Sequence, residues 1–446
     1  MILARLFAHL RLWFCLFLLV SNLQAQQLPP APKLHVTDIN PKPGYFNEPA
    51  IAVNPGNPQQ VTVAWQVNAS AAYSGDGGKT WTIAEGTAPK DYRISGDVSL
   101  AYDSSGHALL CYIAFDKLGT SQYWAHGATR NGIFVRRSAD GGHTWEPRPG
   151  IVIAHDSTPG IPFEDKPSIV AASAGPHAGD LYVGWTQFTL STSELLFSRS
   201  TDDGATWSKP IRLNSVSGLP RDDNGALEGF SGIVAPDGTL YTVWGDKDGI
   251  MMAVSSDGGV SFTRDRRILE TGPGYFQLTG VSRSNGFPQI GIDPQKQTLY
   301  VAWSDYSNGD VDVFLASSSD HGKTWSAPVR VNTDPIHDGT DQFFQWMAVD
   351  AVSGAVNLIF YDRRRDNQQT MVTLARSTDG GKTFNNYSLD DESYVAEGDF
   401  LGDYLAIAAH GNKVFAAWAH QTSEEIKAER GKRTRTVLRV GVADFN

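Results

Sequence analysis

Cysteine is almost absent from this chain. Of the two residues, Cys15 falls in an amino-terminal apolar run and Cys111 stands alone in "ALLCYIAF", so no intramolecular disulfide is available once the amino terminus is removed. Cys111 reads as a core residue, because a reactive thiol needs a polar and accessible setting. Long apolar runs are also missing. The stretch "LWFCLFLLV" at residues 12–20 has nine residues, and a membrane-spanning helix needs roughly 20. Positive charge is in deficit, with Lys+Arg 37 against Asp+Glu 48, which argues against nucleic acid or an anionic membrane surface as a partner. The eleven histidines form no H-E-x-x-H and no Cys/His cluster, so a zinc site is not expected.

What is present begins with Arg5 and Arg11 ahead of that apolar run, then the polar "SNLQAQQ" with Ala25 at a cleavage point. That order predicts a signal peptide over residues 1–25 and one mature domain over 26–446, secreted or periplasmic. Cys15 lacks the small preceding residue of a lipoprotein signal, so no membrane anchor is expected, and a monomer is. Losing residues 1–25 takes the formal net charge from -11 to -13. With 41% hydrophobic residues the chain is globular.

The pattern S-x-D-x-G-x-[ST]-[WF] occurs six times, starting at Ser74, Ser138, Ser200, Ser255, Ser318 and Ser377. Each copy follows an extended segment, so its Asp is placed to accept backbone N–H bonds in a Gly-containing turn while the aromatic packs back between sheets. The motif resembles the Asp-box, or BNR repeat, of sialidases and related β-propellers. The resemblance implies an all-β propeller with these boxes on the outer rim, where Asp76, Asp140, Asp202, Asp257, Asp320 and Asp379 are structural.

Two further repeats give the blade count. A short apolar strand recurs seven times, from "PAIAVN" at Pro49 to "YLAIAA" at Tyr404. A second strand ending in an aromatic also recurs seven times, with Trp65, Phe115, Trp185, Trp244, Trp303, Tyr361 and Trp418 read as matching positions. Seven blades are predicted, against the six usual for the resembled family. The seventh unit ends after "TVLRVGVAD" without a fourth strand, so "KLHVTDI" at residues 33–39 is expected to cover the open edge and close the ring.

By the family resemblance, the position just before each first strand faces a central mouth. It reads Glu48, Asp97, Lys166, Phe230, Phe287, Phe344 and Asp403 from blade one to blade seven. Three carboxylates fall on neighbouring blades and three Phe residues opposite, with Lys166 between. Such a mouth suits a carbohydrate: rings stack on Phe, hydroxyls bind carboxylates, and a carboxylate pair serves as acid and base or nucleophile. The alternative is that the carboxylates cap backbone N–H groups and the Phe residues wedge between blades. Clustering should raise one carboxyl pKa.

The run "YDRRRDN" sets Arg363 and Arg364 beside Asp362, suiting either a bidentate grip on a substrate carboxylate or a salt-bridged loop. Sialidases use an arginine triad for the sialic acid carboxylate, a Tyr nucleophile paired with Glu, and an Asp acid/base. The resemblance therefore names Arg93 in "DYRISGD", Arg283 in "VSRSNGF" and Arg363 or Arg364 as triad candidates, with Tyr404 and Glu397 as the pair. The family's R-I-P signature is broken here, because Ser95 follows Ile94. "RDDNGALE" at residues 221–228 is loosely like a calcium loop but fails the EF-hand spacing, so no cofactor is expected and a structural calcium stays open. The charged "SEEIKAERGKRTR" at residues 423–435 is expected as a solvated insertion over the ligand face. Three functions compete: an exported sialidase-like glycoside hydrolase acting on a terminal sugar, with exo-α-sialidase as its specific form; a non-catalytic propeller binding a glycan or protein; and an exported scaffold factor.

Overall fold

The structure, a computed structural model, describes residues 31–446 apart from 41, 85–86, 88, 118–127, 157–161, 223, 273, 391, 397–399 and 429–430, with only the backbone at 94, 425–428 and 431–434. The signal segment predicted over residues 1–25, and Glu397, lie outside the described residues. Residues Pro32–Asn446 form one compact unit. Every regular element described in it is a β-strand.

Seven antiparallel sheets make a seven-bladed β-propeller. Blade one comprises Ala50–Val53, Val61–Trp65, Ser70–Ser74 and Thr82–Ile83. Blades two to six begin at Ile94–Tyr102, Phe163–Ala171, Glu228–Val234, Gln289–Asp293 and Gln342–Val349, and blade seven at Ala406–His410. Each first strand touches the first strands of both neighbours, and the seventh touches the first, so the ring is closed.

Closure is made by Lys33–Asp38, which pairs antiparallel with the last strand, Gly431–Asp444, in the register Lys33↔Asp444 to Asp38↔Arg439. Pairing the two ends of the chain covers the edge that blade seven would otherwise expose. The charged stretch, expected as a solvated insertion, is carried by the paired strands Lys413–Ala428 and Gly431–Asp444.

The core is divided. Seven apolar clusters fill the seven spaces between blades. A middle strand therefore has both faces covered, which is why "ALLCYIAF" is apolar throughout: Leu109, Cys111 and Ile113 face blade three while Leu110, Tyr112 and Ala114 face blade one. Cys111 is fully buried, and burial pushes its thiol pKa up.

The six repeated turns are alike. In the first, Ser74 Oγ donates to Asp76 Oδ1 at 2.8 Å, the Thr80 amide donates to the same oxygen at 2.9 Å, and Thr80 Oγ1 donates to Oδ2 at 2.6 Å. The Trp81 indole closes the turn on the Gly78 carbonyl at 3.1 Å. All six link the third and fourth strands of a blade.

One irregularity matters for function. In blades two, three, four and six the first strand carries a bulge, so that two residues oppose one aromatic of the second strand. The first bulge residue has positive φ: Asp97 at 44°, Lys166 at 47°, Gly229 at 73° and Phe344 at 54°. Glu48 of blade one shares this conformation at 49°. Left-handed backbone at a non-glycine residue costs of order 1–3 kcal/mol, and three of these residues are charged. Blade four has Gly because a Cβ at 229 would lie 2.8 Å from Phe287 Cβ.

This register corrects two sequence alignments. Gly229 and Tyr404, rather than Phe230 and Asp403, occupy the position equivalent to Glu48, Asp97 and Lys166. In the second strands Tyr112 and Phe360, rather than Phe115 and Tyr361, stand opposite the bulge.

Candidate functional site

The bulges deliver Glu48, Asp97 and Lys166 from blades one to three to one place. The residues one step earlier deliver Asp165 and Glu228, and blade seven delivers Asp403 just before Tyr404. All are buried or nearly so: Glu48 is 1% exposed, Asp97 5%, Asp165 1%, Glu228 1% and Asp403 0%. Two insertions complete the group. The lead into blade four brings Asp222, and a two-stranded hairpin between blades four and five, Tyr275–Leu278 with Val281–Asn285, brings Tyr275 and Arg283.

The contacts tie distant blades together. Arg283 donates through Nε to Asp403 Oδ1 at 2.8 Å and through a terminal nitrogen to Asp222 Oδ2 at 2.8 Å. Its other terminal nitrogen and Lys166 Nζ both bind Asp403 Oδ2. Asn285 anchors the hairpin on the Asp403 carbonyl at 2.9 Å. The Tyr275 hydroxyl donates to Glu228 Oε2, and its ring meets Phe287 edge-on at 5.4 Å between centroids. Lys166 Nζ lies 5.6 Å from the Phe287 centroid.

Six carboxyl groups thus face two cations, and the proton affinities reflect it. Burial, then the charges of Asp97 and Asp403, push Glu48 well above the usual carboxylate range. Burial and Asp97 do the same to Asp165. Both sit within hydrogen-bonding reach of Asp97. Burial and Asp222 push Glu228 up to about 8. Asp403 differs: despite its burial, Arg283 and Lys166 hold it below its ordinary value. Burial, with Glu228 and Asp222, raises the Tyr275 phenol, and burial, with Asp97 and Glu48, raises that of Tyr404.

Two cavities flank the group. One of about 340 Å³ is lined by Glu228, Tyr275 and Phe287 together with Asp246, Lys247 and Asp248 at the turn of blade four. The other, about 240 Å³, runs along the first strands and is lined by Lys166, Phe287, Trp346 and Tyr404. Phe287 forms part of the wall of both.

Of the residues picked out in the sequence, the structure brings together Glu48, Asp97, Lys166, Arg283, Phe287, Asp403 and Tyr404. It separates the rest. Phe230 is 4% exposed and lies over Gly184 and Gly232, a wedge between blades three and four. Phe344 is 1% exposed in the core between blades six and seven, against Phe343 and Tyr361. The predicted open aromatic wall is therefore absent, and even Phe287 is 4% exposed. Arg93 is exposed ahead of blade two. The arginine run resolves as a braced loop: Arg363 donates to Thr370 Oγ1 at 3.1 Å and the Thr279 carbonyl at 2.8 Å, while Arg364 donates to Asp362 Oδ2 at 2.6 Å.

Asp165 and Tyr275 carry no sequence signal as site residues, and Asp222 and Glu228 enter from sequence only as part of the loosely calcium-like stretch at residues 221–228. Asp165 and Glu228 occupy the same step as Asp403, immediately before the bulge position, and aligning blade four on Gly229 exposes that repeat. Tyr275 sits in a hairpin that belongs to no blade, so no repeat points to it.

No known protein family matches the chain, and no curated protein matches it. Among solved structures it is similar to a protein of unknown function from Dyadobacter fermentans, at 13% identity over 94% of this chain and 99% of that one, with a TM-score of 0.49. A Hadza microbial sialidase matches at 17% identity over 86% and 73%, TM-score 0.48. An α-L-arabinofuranosidase from Fusarium graminearum matches at 12% over 76% and 91%, TM-score 0.48. Likenesses this distant carry no argument about chemistry, and the blade count rests on the chain's own strands.

Proposed function

We propose that this protein is a glycoside hydrolase whose nucleophile is Tyr275 and whose base is Glu228. The observation that carries the reading is the hydrogen bond from the Tyr275 hydroxyl to Glu228 Oε2, inside a group of buried carboxyls whose proton affinities burial raises. With its pKa raised to about 8, Glu228 is a strong base in the fraction of molecules in which it is ionised, and that fraction grows as the pH rises toward 8.

In the reaction, the Tyr275 oxygen attacks the anomeric carbon as Glu228 takes the phenolic proton. The bond from that carbon to the leaving oxygen breaks, and the carboxyl of Glu48 or Asp165, both with raised proton affinity, supplies the proton the leaving oxygen needs. Water then attacks the glycosyl–tyrosine carbon and gives its proton to the carboxylate just formed, and Tyr275 leaves and recovers its proton from Glu228. The net change is hydrolysis with retention.

The Tyr and Glu pairing is the one the sialidase resemblance implies, realised by different residues from those the sequence suggested. Exo-α-sialidase is the specific form that resemblance names. Of the three arginine positions it needs, Arg283 alone stands at the site, and its donors are committed to Asp403 and Asp222. The reading therefore rests at a terminal glycoside rather than a sialoside. Incubation with a panel of aryl glycosides, an aryl sialoside included, tests it. Release of the phenol is expected from at least one member, and no release above buffer from any of them removes the hydrolase reading.

A glycan-binding protein without turnover is the second reading, favoured by the salt bridges that lock Lys166 and Arg283 onto Asp403. Retention on a glycan array by a protein inert toward the panel would select it.

A further inference from the structure

We propose that Asp165, Asp222 and Glu228 form a calcium site beside Tyr275. The three side chains come from separate segments, and one carboxylate oxygen from each lies within 4.8 Å of the other two. Each carboxylate has one oxygen held by the protein. Asp165 Oδ1 accepts the Lys166 amide at 3.1 Å, Asp222 Oδ2 accepts Arg283 at 2.8 Å, and Glu228 Oε2 accepts the Tyr275 hydroxyl. The remaining oxygens of the two most buried members, Asp165 Oδ2 and Glu228 Oε1, are enclosed and meet no N–H or O–H donor, Asp165 having only the carboxyl of Asp97 within reach. An enclosed carboxylate oxygen without a donor is costly, and both belong to residues only 1% exposed.

A cation answers that cost. The donors are all hard oxygens, which excludes soft metals and leaves calcium, magnesium or manganese. Coordination habit favours calcium. Its six to eight ligands sit in flexible geometry, which suits three carboxylates brought in from separate segments, whereas Mg²⁺ demands near-ideal octahedral geometry. The three oxygens, all within 4.8 Å of one another, can share one such ion. Composition agrees: six carboxyls face only two cations in this group. Three protein ligands leave about three to five positions of the usual six to eight for water or the hydroxyls of a sugar. Asp222 and Glu228 are the second and last residues of the stretch "RDDNGALE", so this stretch supplies calcium ligands together with a residue of blade three rather than by the EF-hand spacing.

The site shares Asp165 and Glu228 with the hydrolase reading, but the inference concerns metal binding to the resting protein and is read without turnover. The test uses the mature chain freed of metal by chelator. Terbium, a luminescent substitute for calcium, is titrated in, with emission sensitised by Tyr275. Saturation at one ion per chain, displacement by Ca²⁺ but not by equal Mg²⁺, and a rise in Tm with Ca²⁺ are expected. Asp222→Asn should weaken Ca²⁺ binding at least tenfold with an unchanged circular dichroism spectrum. The absence of sensitised terbium, or unaltered Ca²⁺ affinity in a folded Asp222→Asn, overturns the site and leaves shared protons as the answer to the buried oxygens. Should Asp222→Asn not fold, the wild-type displacement alone decides. Inactivity toward glycosides with Ca²⁺ bound would remove only the hydrolase reading.

Discussion

Arg283 and Asp403 meet across 120 residues of sequence, Nε donating to Oδ1 at 2.8 Å. Asp403 is the hub on which both cations, the half-buried Arg283 and the more enclosed Lys166, are neutralised. Asp403→Ala should therefore cost about 3–5 kcal/mol, since it strands two charges in a buried setting. Equilibrium urea unfolding measures this. A loss under about 1 kcal/mol would show that solvent already screens the cations.

The raised carboxyls make stability depend on pH with a definite sign. Glu228 binds its proton more tightly folded, at about 8, than at its ordinary 4.5. Above pH 4.5 the unfolded chain gives up that proton while the folded one keeps it, so stability falls as pH rises from about 4.5 to 8 and then levels. Glu228→Gln removes this part of the slope. In chelator, the variant should gain on wild type between pH 5 and pH 8 by on the order of 3 kcal/mol, read from urea midpoints at the two pH values.

The repeated turns should behave as independent clips. Asp202 accepts Ser200 Oγ at 2.8 Å, the Thr206 amide at 2.9 Å and Thr206 Oγ1 at 2.6 Å, on the rim and away from the site. Asp202→Ala should cost about 1–2 kcal/mol and leave glycan binding or turnover unchanged. Thermal unfolding beside a binding assay checks both parts.

Removing the closing strand should be worse than removing any one clip. Deletion through Asp38 exposes the last strand from Arg439 to Asp444 as an unpaired edge. The expected result is a lower Tm and concentration-dependent aggregation by light scattering.

Phe287 illustrates what the sequence conveyed and what it did not. Its place at the mouth was legible from the repeat, but its burial was not, because that depends on Tyr275 and Lys166 closing over it. Phe287→Ala should consequently reduce stability by about 3–5 kcal/mol, beyond any effect on sugar binding. The blade count and the closing strand were readable because each blade repeats one pattern of buried and turn residues. The bulge was not readable: it adds a residue without a residue type of its own, so a repeat alignment of blade four falls on Phe230 instead of Gly229 and leaves Glu228 visible only as the end of the acidic stretch at residues 221–228. Arg363 and Arg364 carry a triad-like spelling, yet the loop they brace consumes their donors locally.

The central claim is that Tyr275 and Glu228 act as one unit on a glycosidic bond. Its most direct test compares wild type with Tyr275→Phe and Glu228→Gln on whichever aryl glycoside the protein hydrolyses best. Each variant should lose kcat by on the order of 10²–10⁴-fold while the far-ultraviolet circular dichroism stays that of wild type. Turnover that survives Tyr275→Phe within a few-fold of wild type would contradict the account.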